Sequence, residues 1–217
     1  MKVIITGASG MVGEGVLHEC LLSESVESIL VIGRRACGTI YKKLKESIHS
    51  DFFNLSAIES EMRGYDACFF CLGVSSVGMN EVNYSRMTYD LTMNFARTVS
   101  AINPGMVFCY VSGAGTDSTE KGRSMWARVK GRTENDLMRL PFKKVYHFRP
   151  GIMKPTPGLK NTLGFYQWMG WLIPIIRLFA PNAIITLRQL GLAMIHVVQR
   201  GYPQNILEIK DIVALSI

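Results

Sequence analysis

Three glycines spaced three residues apart leave a chain few folds to choose from. They stand in Thr6-Gly7-Ala8-Ser9-Gly10-Met11-Val12-Gly13. The stretch before them, Lys2–Thr6, is short and apolar, as a buried strand is. The stretch after them, Met11–Leu22, repeats Val12, Val16 and Cys20 at helical spacing. In that context each glycine has a physical task. Gly7 permits the tight turn, Gly10 lets backbone approach a diphosphate with no Cβ between, and Gly13 lets the helix lie close to the strand. The helix terminus adds N–H groups without partners and a partial positive charge. Gly7, Ala8, Ser9, Gly10, Met11, Val12 and Gly13 are therefore candidate nucleotide-phosphate residues.

The rest of the chain continues the alternation. Candidate strands are Ser28–Gly33, Ser47–Phe52, Ala67–Leu72, Met106–Ser112, Lys144–Arg149 and a late one at Ile206–Ile209. Candidate helices between them are about Ser85–Ile102, Ser124–Arg139 and Thr186–Gln199. Such alternation predicts an α/β fold with a doubly wound, mostly parallel sheet covered on both faces, the Rossmann arrangement. The 217 residues suffice for one large domain. We read 1–152 as its cofactor-binding core and 153–217 as a substrate-side segment carrying the last strand. From Pro150 onward the composition shifts toward Pro, Gly, Trp and Ile, which we read as a small C-terminal cap on the substrate side.

Composition narrows the partners. The net charge of +7 suits an anionic partner such as a dinucleotide, an acidic membrane surface or nucleic acid. No Lys/Arg block is interleaved with aromatics, which argues against nucleic acid. The five cysteines are odd in number and the chain is not small, so a disulfide framework is not expected. Cys68 and Cys71 form a CxxC, but within an apolar strand residues three apart face opposite sides, so both read as buried structural thiols. The four histidines are scattered without ligand spacing, so no metal is expected. No leader pattern precedes the first strand. The longest uncharged run, between Lys160 and Arg177, is too short to span a bilayer and contains Pro174. The expected compartment is the cytoplasm.

The end of the second strand discriminates between cofactors. An acidic residue there would bind the ribose 2′-hydroxyl of NAD(H). This chain has Gly33-Arg34-Arg35. Two guanidinium groups suit a 2′-phosphate, hence NADP(H) in preference to NAD(H). Lys42, Lys43 and Lys45 follow, and read as a solvated face.

With these pieces in register, the chain resembles the short-chain dehydrogenase/reductase superfamily. Within it, the likeness is to the atypical branch around the human Tat-interacting protein and bacterial NAD-dependent-epimerase-like proteins. The resemblance is carried by the glycine motif, Val31-Ile32-Gly33-Arg34-Arg35, Asp51-Phe52, Cys71-Leu72-Gly73, Val111-Ser112, Val129-Lys130-Gly131-Arg132-Thr133-Glu134 and Arg149-Pro150-Gly151. It implies that Asp51 and Phe52 flank the adenine and that Leu72 and Gly73 line the cofactor. It also implies that Ser112 orients substrate, that Lys130 holds the nicotinamide ribose, and that Pro150, Gly151 and Ile152 pass the carboxamide.

One departure bears on chemistry. The superfamily pairs a catalytic tyrosine with a lysine four residues later, on one helix face. Here the tyrosine position is Trp126, in Trp126-Ala127-Arg128-Val129-Lys130, and no tyrosine lies between Tyr110 and Tyr146. An indole cannot donate and recover a proton near neutral pH. Three readings follow. The chain is an oxidoreductase on an apolar carbonyl or alcohol, with Tyr89, Tyr110 or a water steered by Ser112 and Lys130 as proton donor. It is an NADP(H)-binding redox sensor or partner-binding module without turnover. Or it is an epimerase or isomerase. The aromatic-rich segment 163–179, with Trp168 and Trp171, could form an apolar substrate pocket, a peripheral membrane contact or a core helix with a homodimer contact.

Overall fold

A computed structural model describes residues 1–161 and 184–217. The segment 163–179 lies outside the described residues, and so do the three roles considered for it. The first element pair is as the sequence predicts: β1 (Lys2–Thr6) runs into α1 (Met11–Leu22). Then come β2 (Ser28–Gly33), β3 (Leu44–Ile48), a 3-10 turn (Ser56–Met62) and β4 (Ala67–Phe70). A composite helix follows, made of α2 (Glu81–Ser85), a π-helical turn (Arg86–Asp90) and α3 (Leu91–Ile102). The remainder is β5 (Val107–Val111), α4 (Met125–Leu137), β6 (Lys144–Phe148), β7 (Ile152–Lys154), β8 (Ile184–Thr186), α5 (Leu187–Arg200), β9 (Ile206–Leu207) and α6 (Ile209–Leu215).

Seven strands form one parallel sheet in the order β3-β2-β1-β4-β5-β6-β9, and β7 pairs with β8 apart from it. The order reverses between β1 and β4, and a crevice opens there at the carboxyl ends of the strands. Alternate strand residues feed two cores, as the period of two requires. Val3, Ile5, Val31, Phe69 and Phe148 face α1, α5 and α6. Ile4, Ile32, Phe70, Phe108 and Tyr110 face α3 and α4. The α1–α5 contact is close because each helix offers a glycine. A Cβ at Gly15 would stand 2.7 Å from the Leu187 side chain, and one at Gly191 would stand 2.7 Å from that of Glu19.

Three expected elements have other bounds, and β7, β8, the 3-10 turn and α6 are elements the sequence pattern does not announce. The third strand is Leu44–Ile48, not Ser47–Phe52. It is an edge strand with one fully buried side chain, so hydrophobic alternation cannot locate it. Phe52 falls instead in the turn after it, where the Asp51 carboxylate accepts from the Phe53 amide at 2.9 Å. The last strand stops at Leu207, because Glu208 starts α6 with a reciprocal capping box to Asp211. The long helix begins earlier than Ser85, at Glu81, where Asn80 caps it by accepting from the Asn83 amide. Among the described residues, no helix is long and apolar enough to cross a membrane.

Candidate functional site

The turn after β1 has the geometry its glycines require. Gly7 has φ +76°, in the left-handed region. A Cβ there would stand 2.7 Å from the Cys71 carbonyl oxygen. A Cβ at Gly13 would stand 2.2 Å from the Gly7 carbonyl oxygen, so α1 can approach β1 only without one. Gly10 differs: a Cβ would meet only the Gly7 oxygen, at 3.4 Å, an ordinary contact. Packing therefore does not require glycine at position 10, and its backbone is open to the space in front of the turn. Ser9 and Gly10 are exposed at this mouth, while Ala8 is buried behind them.

In front of the turn lies a cleft of about 770 Å³. Its walls are Gly10, Met11 and Val12, the segments 71–75, 111–114 and 150–153 that follow β4, β5 and β6, Lys130 of α4 and Ile209 of α6. The structure thus gathers Leu72, Gly73, Ser112, Lys130, Pro150, Gly151 and Ile152 around one space. Arg34 and Arg35 are exposed beyond β2, and Arg35 lines a smaller adjoining hollow with Ser9. Asp51 is exposed. Phe52 is only 3% exposed and stacks on Phe95 at 6.0 Å, so its ring belongs to the core and cannot lie on an adenine.

The wall expected to carry chemistry is more unusual. Lys130 donates to the Ser112 carbonyl oxygen at 2.6 Å and lies 5.8 Å over the Tyr110 ring. Burial of its ammonium lowers its pKa to about 8, with Glu134 opposing the shift. The Ser112 hydroxyl points away from the cleft. Its single proton goes to Glu134 Oε1 at 2.6 Å, with the Phe148 carbonyl as the more distant alternative acceptor at 3.1 Å. Glu134, 1% exposed, is held by the Arg149 guanidinium through two nitrogens. Arg149 also reaches the Ser118 hydroxyl at 2.6 Å and Glu208 at 3.2 Å. This buried chain links β5, α4, β6 and α6 directly behind the cleft. Beside it, burial pushes His147 down to about 4, so the ring is neutral at pH 7.

The aromatic candidates lie elsewhere. Trp126 packs on the loop after β5: a Cβ at Gly115 would meet its indole at 3.6 Å, and one at Gly113 at 3.9 Å. The Tyr89 hydroxyl donates to Asp136 at 2.6 Å, and Arg132 lies over its ring at 4.1 Å. Tyr110 is 1% exposed among Phe70 and other core residues, and burial pushes its phenol up. Neither tyrosine lines the cleft. Cys71, expected as a buried strand thiol, sits just past the end of β4 and does line the cleft. Burial pushes it up to about 12, so it stays protonated.

Sequence reasoning missed the Ser112–Glu134–Arg149 network. Its signal was present: a glutamate on the buried stripe of α4 and an arginine closing an otherwise apolar strand are costly unless paired. Among the described residues, no cluster of three or more His, Cys, Asp or Glu could hold a metal ion.

No family model matches the chain. It is 27% identical over 155 residues to rat protein HTATIP2, covering 70% of this chain and 62% of that protein. It is 29% identical over 153 residues to mitochondrial protein FMP52-2 of Scheffersomyces stipitis, covering 69% and 65%. These matches span slightly less than two thirds of either relative. With mitochondrial FMP52 of Candida albicans the identity is 24% over 191 residues, 82% of this chain and 81% of that one. The solved structure of the dTDP-glucose 4,6-dehydratase DesIV from Streptomyces venezuelae, with NAD bound, superposes with a TM-score of 0.72 at 15% identity, covering 96% of this chain and 75% of that one. UDP-glucuronic acid 4-epimerase from Bacillus cereus gives 0.66 at 12%, covering 96% and 77%. At these identities the two structures speak for the fold alone. Glycine turn and sheet order make the chain a Rossmann-fold protein, and in sequence it is similar to HTATIP2 and the FMP52 proteins.

Proposed function

We propose that the chain binds NADP(H) in the cleft at the β1/β4 switch point and works as an oxidoreductase on an apolar carbonyl or alcohol. The observation that carries the proposal is Gly10. It faces the cleft with no steric need of its own to lack a side chain, at the amino end of a helix. In this reading the first turn of α1 grips the diphosphate, and Arg34 and Arg35 select the 2′-phosphate. The segment Pro150–Ile152 passes the carboxamide. The bound cofactor supplies or accepts a hydride. The lining is mostly apolar, with Val74, Val111, Ile152 and Met153, which suits an apolar substrate.

The proton then has one evident source among the described lining residues. Tyr89 and Tyr110 are packed away and the Cys71 thiol is far too weak an acid. The Lys130 ammonium lines the cleft and is steered by the Ser112 carbonyl. We assign to it the proton delivered to a substrate oxygen. Catalytic acids work best with a pKa near the working pH. Reduction is therefore expected to slow as pH rises through about 8, where Lys130 loses its proton. Lys130→Met should abolish turnover and leave NADPH bound. The test is NADPH oxidation by the full chain across a panel of apolar aldehydes, ketones and quinones.

Steady oxidation with that pH profile supports the proposal. Binding without turnover supports the second reading, an NADP(H)-responsive binding module, which the placement of Trp126 favours. A third reading, epimerisation or isomerisation, draws on the named activities of the structural neighbours and requires turnover with no net change in cofactor redox state.

A further inference from the structure

A second, smaller hollow of about 190 Å³ adjoins the phosphate turn. Three separate parts of the chain line it. Ser9 comes from the turn; Arg35, Ala36 and Cys37 come from the end of β2; Lys160 and Asn161 come from the segment beyond β7. That last segment is more than 120 residues from β2 in sequence, yet it is fixed in place. Glu14, in the first turn of α1, accepts the Lys160 amide at 2.9 Å on Oε1 and the Asn161 amide at 2.7 Å on Oε2. The two carboxylate oxygens thus hold two successive amides. The position also suits Glu14 itself, since a negative charge in the first turn is stabilised by the helix dipole.

We infer that the segment pinned by Glu14 forms a strap across the adenosine end of the cofactor site, with Lys160 facing Arg35 and Ser9 as a third determinant of 2′-phosphate selection. The inference rests on the NADP(H) reading above. Two cations and a hydroxyl converge on a space between the diphosphate turn and the end of the second strand. That is where this fold places the adenosine ribose. A phosphate there accepts from the Arg35 guanidinium, the Lys160 ammonium and the Ser9 hydroxyl. A 2′-hydroxyl offers no charge for either cation to meet. Carboxylates stand near by as well: Glu14 is occupied by the strap amides, and Glu46 accepts the Cys37 amide at 2.7 Å. A chain with both arginines but no strap would therefore select less sharply.

The experiment is calorimetric titration of the full chain with NADP⁺ and with NAD⁺, at low and at high salt. The variants are Lys160→Ala, Lys160→Arg, Glu14→Ala and Glu14→Gln. Lys160 is exposed, so its variants should melt with the parent. Lys160→Ala should weaken NADP⁺ by about ten- to a hundredfold, the scale of one charge-assisted hydrogen bond, and leave NAD⁺ unchanged. Lys160→Arg should keep most of the preference. Glu14→Ala should lower NADP⁺ affinity in the same direction by releasing the strap, and Glu14→Gln, which keeps one acceptor, by less. Added salt should shrink the gap between the two cofactors in the parent more than in Lys160→Ala. If Lys160→Ala lowers both affinities equally, or neither, the strap has no part in selection and the inference falls alone. If the parent binds neither dinucleotide, the NADP(H) reading falls with it.

Discussion

Two walls face each other across the cleft, and they are built on opposite principles. The phosphate turn works by removing side chains. Gly7 and Gly13 have no Cβ because backbone just past β4 and from the turn itself occupies that space. Gly10 has none although space remains. The opposite wall, formed by β5, α4 and β6, works by filling. The Trp126 indole covers the Gly113 and Gly115 loop, and a buried glutamate–arginine pair fixes Ser112 from behind. An open backbone surface can bind any dinucleotide of the right shape, so it persists across many chemistries. A filled wall commits to one arrangement, and here Trp126 stands where the superfamily that the sequence resembles carries a phenol. Under the proposed function, binding is assigned to one wall and turnover to the other, and substitutions on the two walls should separate them.

The largest effect is expected from Glu134→Ala. It leaves Arg149 charged and buried without its main partner, which should cost about 3–5 kcal/mol of stability in chemical denaturation. Glu134→Gln should cost less. If Glu134→Ala proved neutral, the network would be ornamental and the filled wall would not be fixed by it.

Gly13→Ala comes next. Its methyl would collide with the Gly7 carbonyl at 2.2 Å, so the turn must move. Loss of detectable NADPH binding is expected, with a stability cost of about 1–3 kcal/mol. Gly10→Ala should make the contrast sharper, since it should bind poorly and fold normally. Equal melting losses for the two variants would erase the distinction between the glycines.

Trp126→Tyr returns a phenol to the helix face four residues before Lys130. Any reductase rate should rise by about 10²-fold, the usual scale of a positioned general acid, with NADPH affinity unchanged. No gain would mean that the wall behind Ser112 is not arranged for that reaction.

The smallest effect is a shift in preference. Arg34→Ala with Arg35→Ala should weaken NADPH by about 1–3 kcal/mol and spare NADH, read by competitive displacement. Equal losses for both cofactors would point to general charge attraction instead.

The same contrast explains what the sequence made legible. Glycine spacing is local, and its consequence is local, so the turn, β1 and α1 could be read directly. The central strands carry continuous apolar runs and were found for the same reason. The third strand was misplaced because an edge strand buries few side chains, whereas Phe52 in the turn after it is buried and resembles a strand residue. The end of β9 was missed because a capping box, Glu208 with Asp211, has no hydrophobic signature. At the filled wall, residue types were readable but directions were not. Ser112 and Lys130 both reach the cleft wall, yet the serine hydroxyl turns to Glu134 and its carbonyl holds the lysine. Contacts such as Glu14 to Lys160 join residues 146 apart, and no local pattern announces them.

The most direct test is a fluorescence titration of the full chain with NADPH, repeated in the Gly10→Ala variant. Saturable enhancement of the nicotinamide emission in the parent is expected, strongly weakened in the variant while its melting temperature stays put. No saturable change in the parent, or equal binding by parent and variant, would contradict a dinucleotide held on that turn.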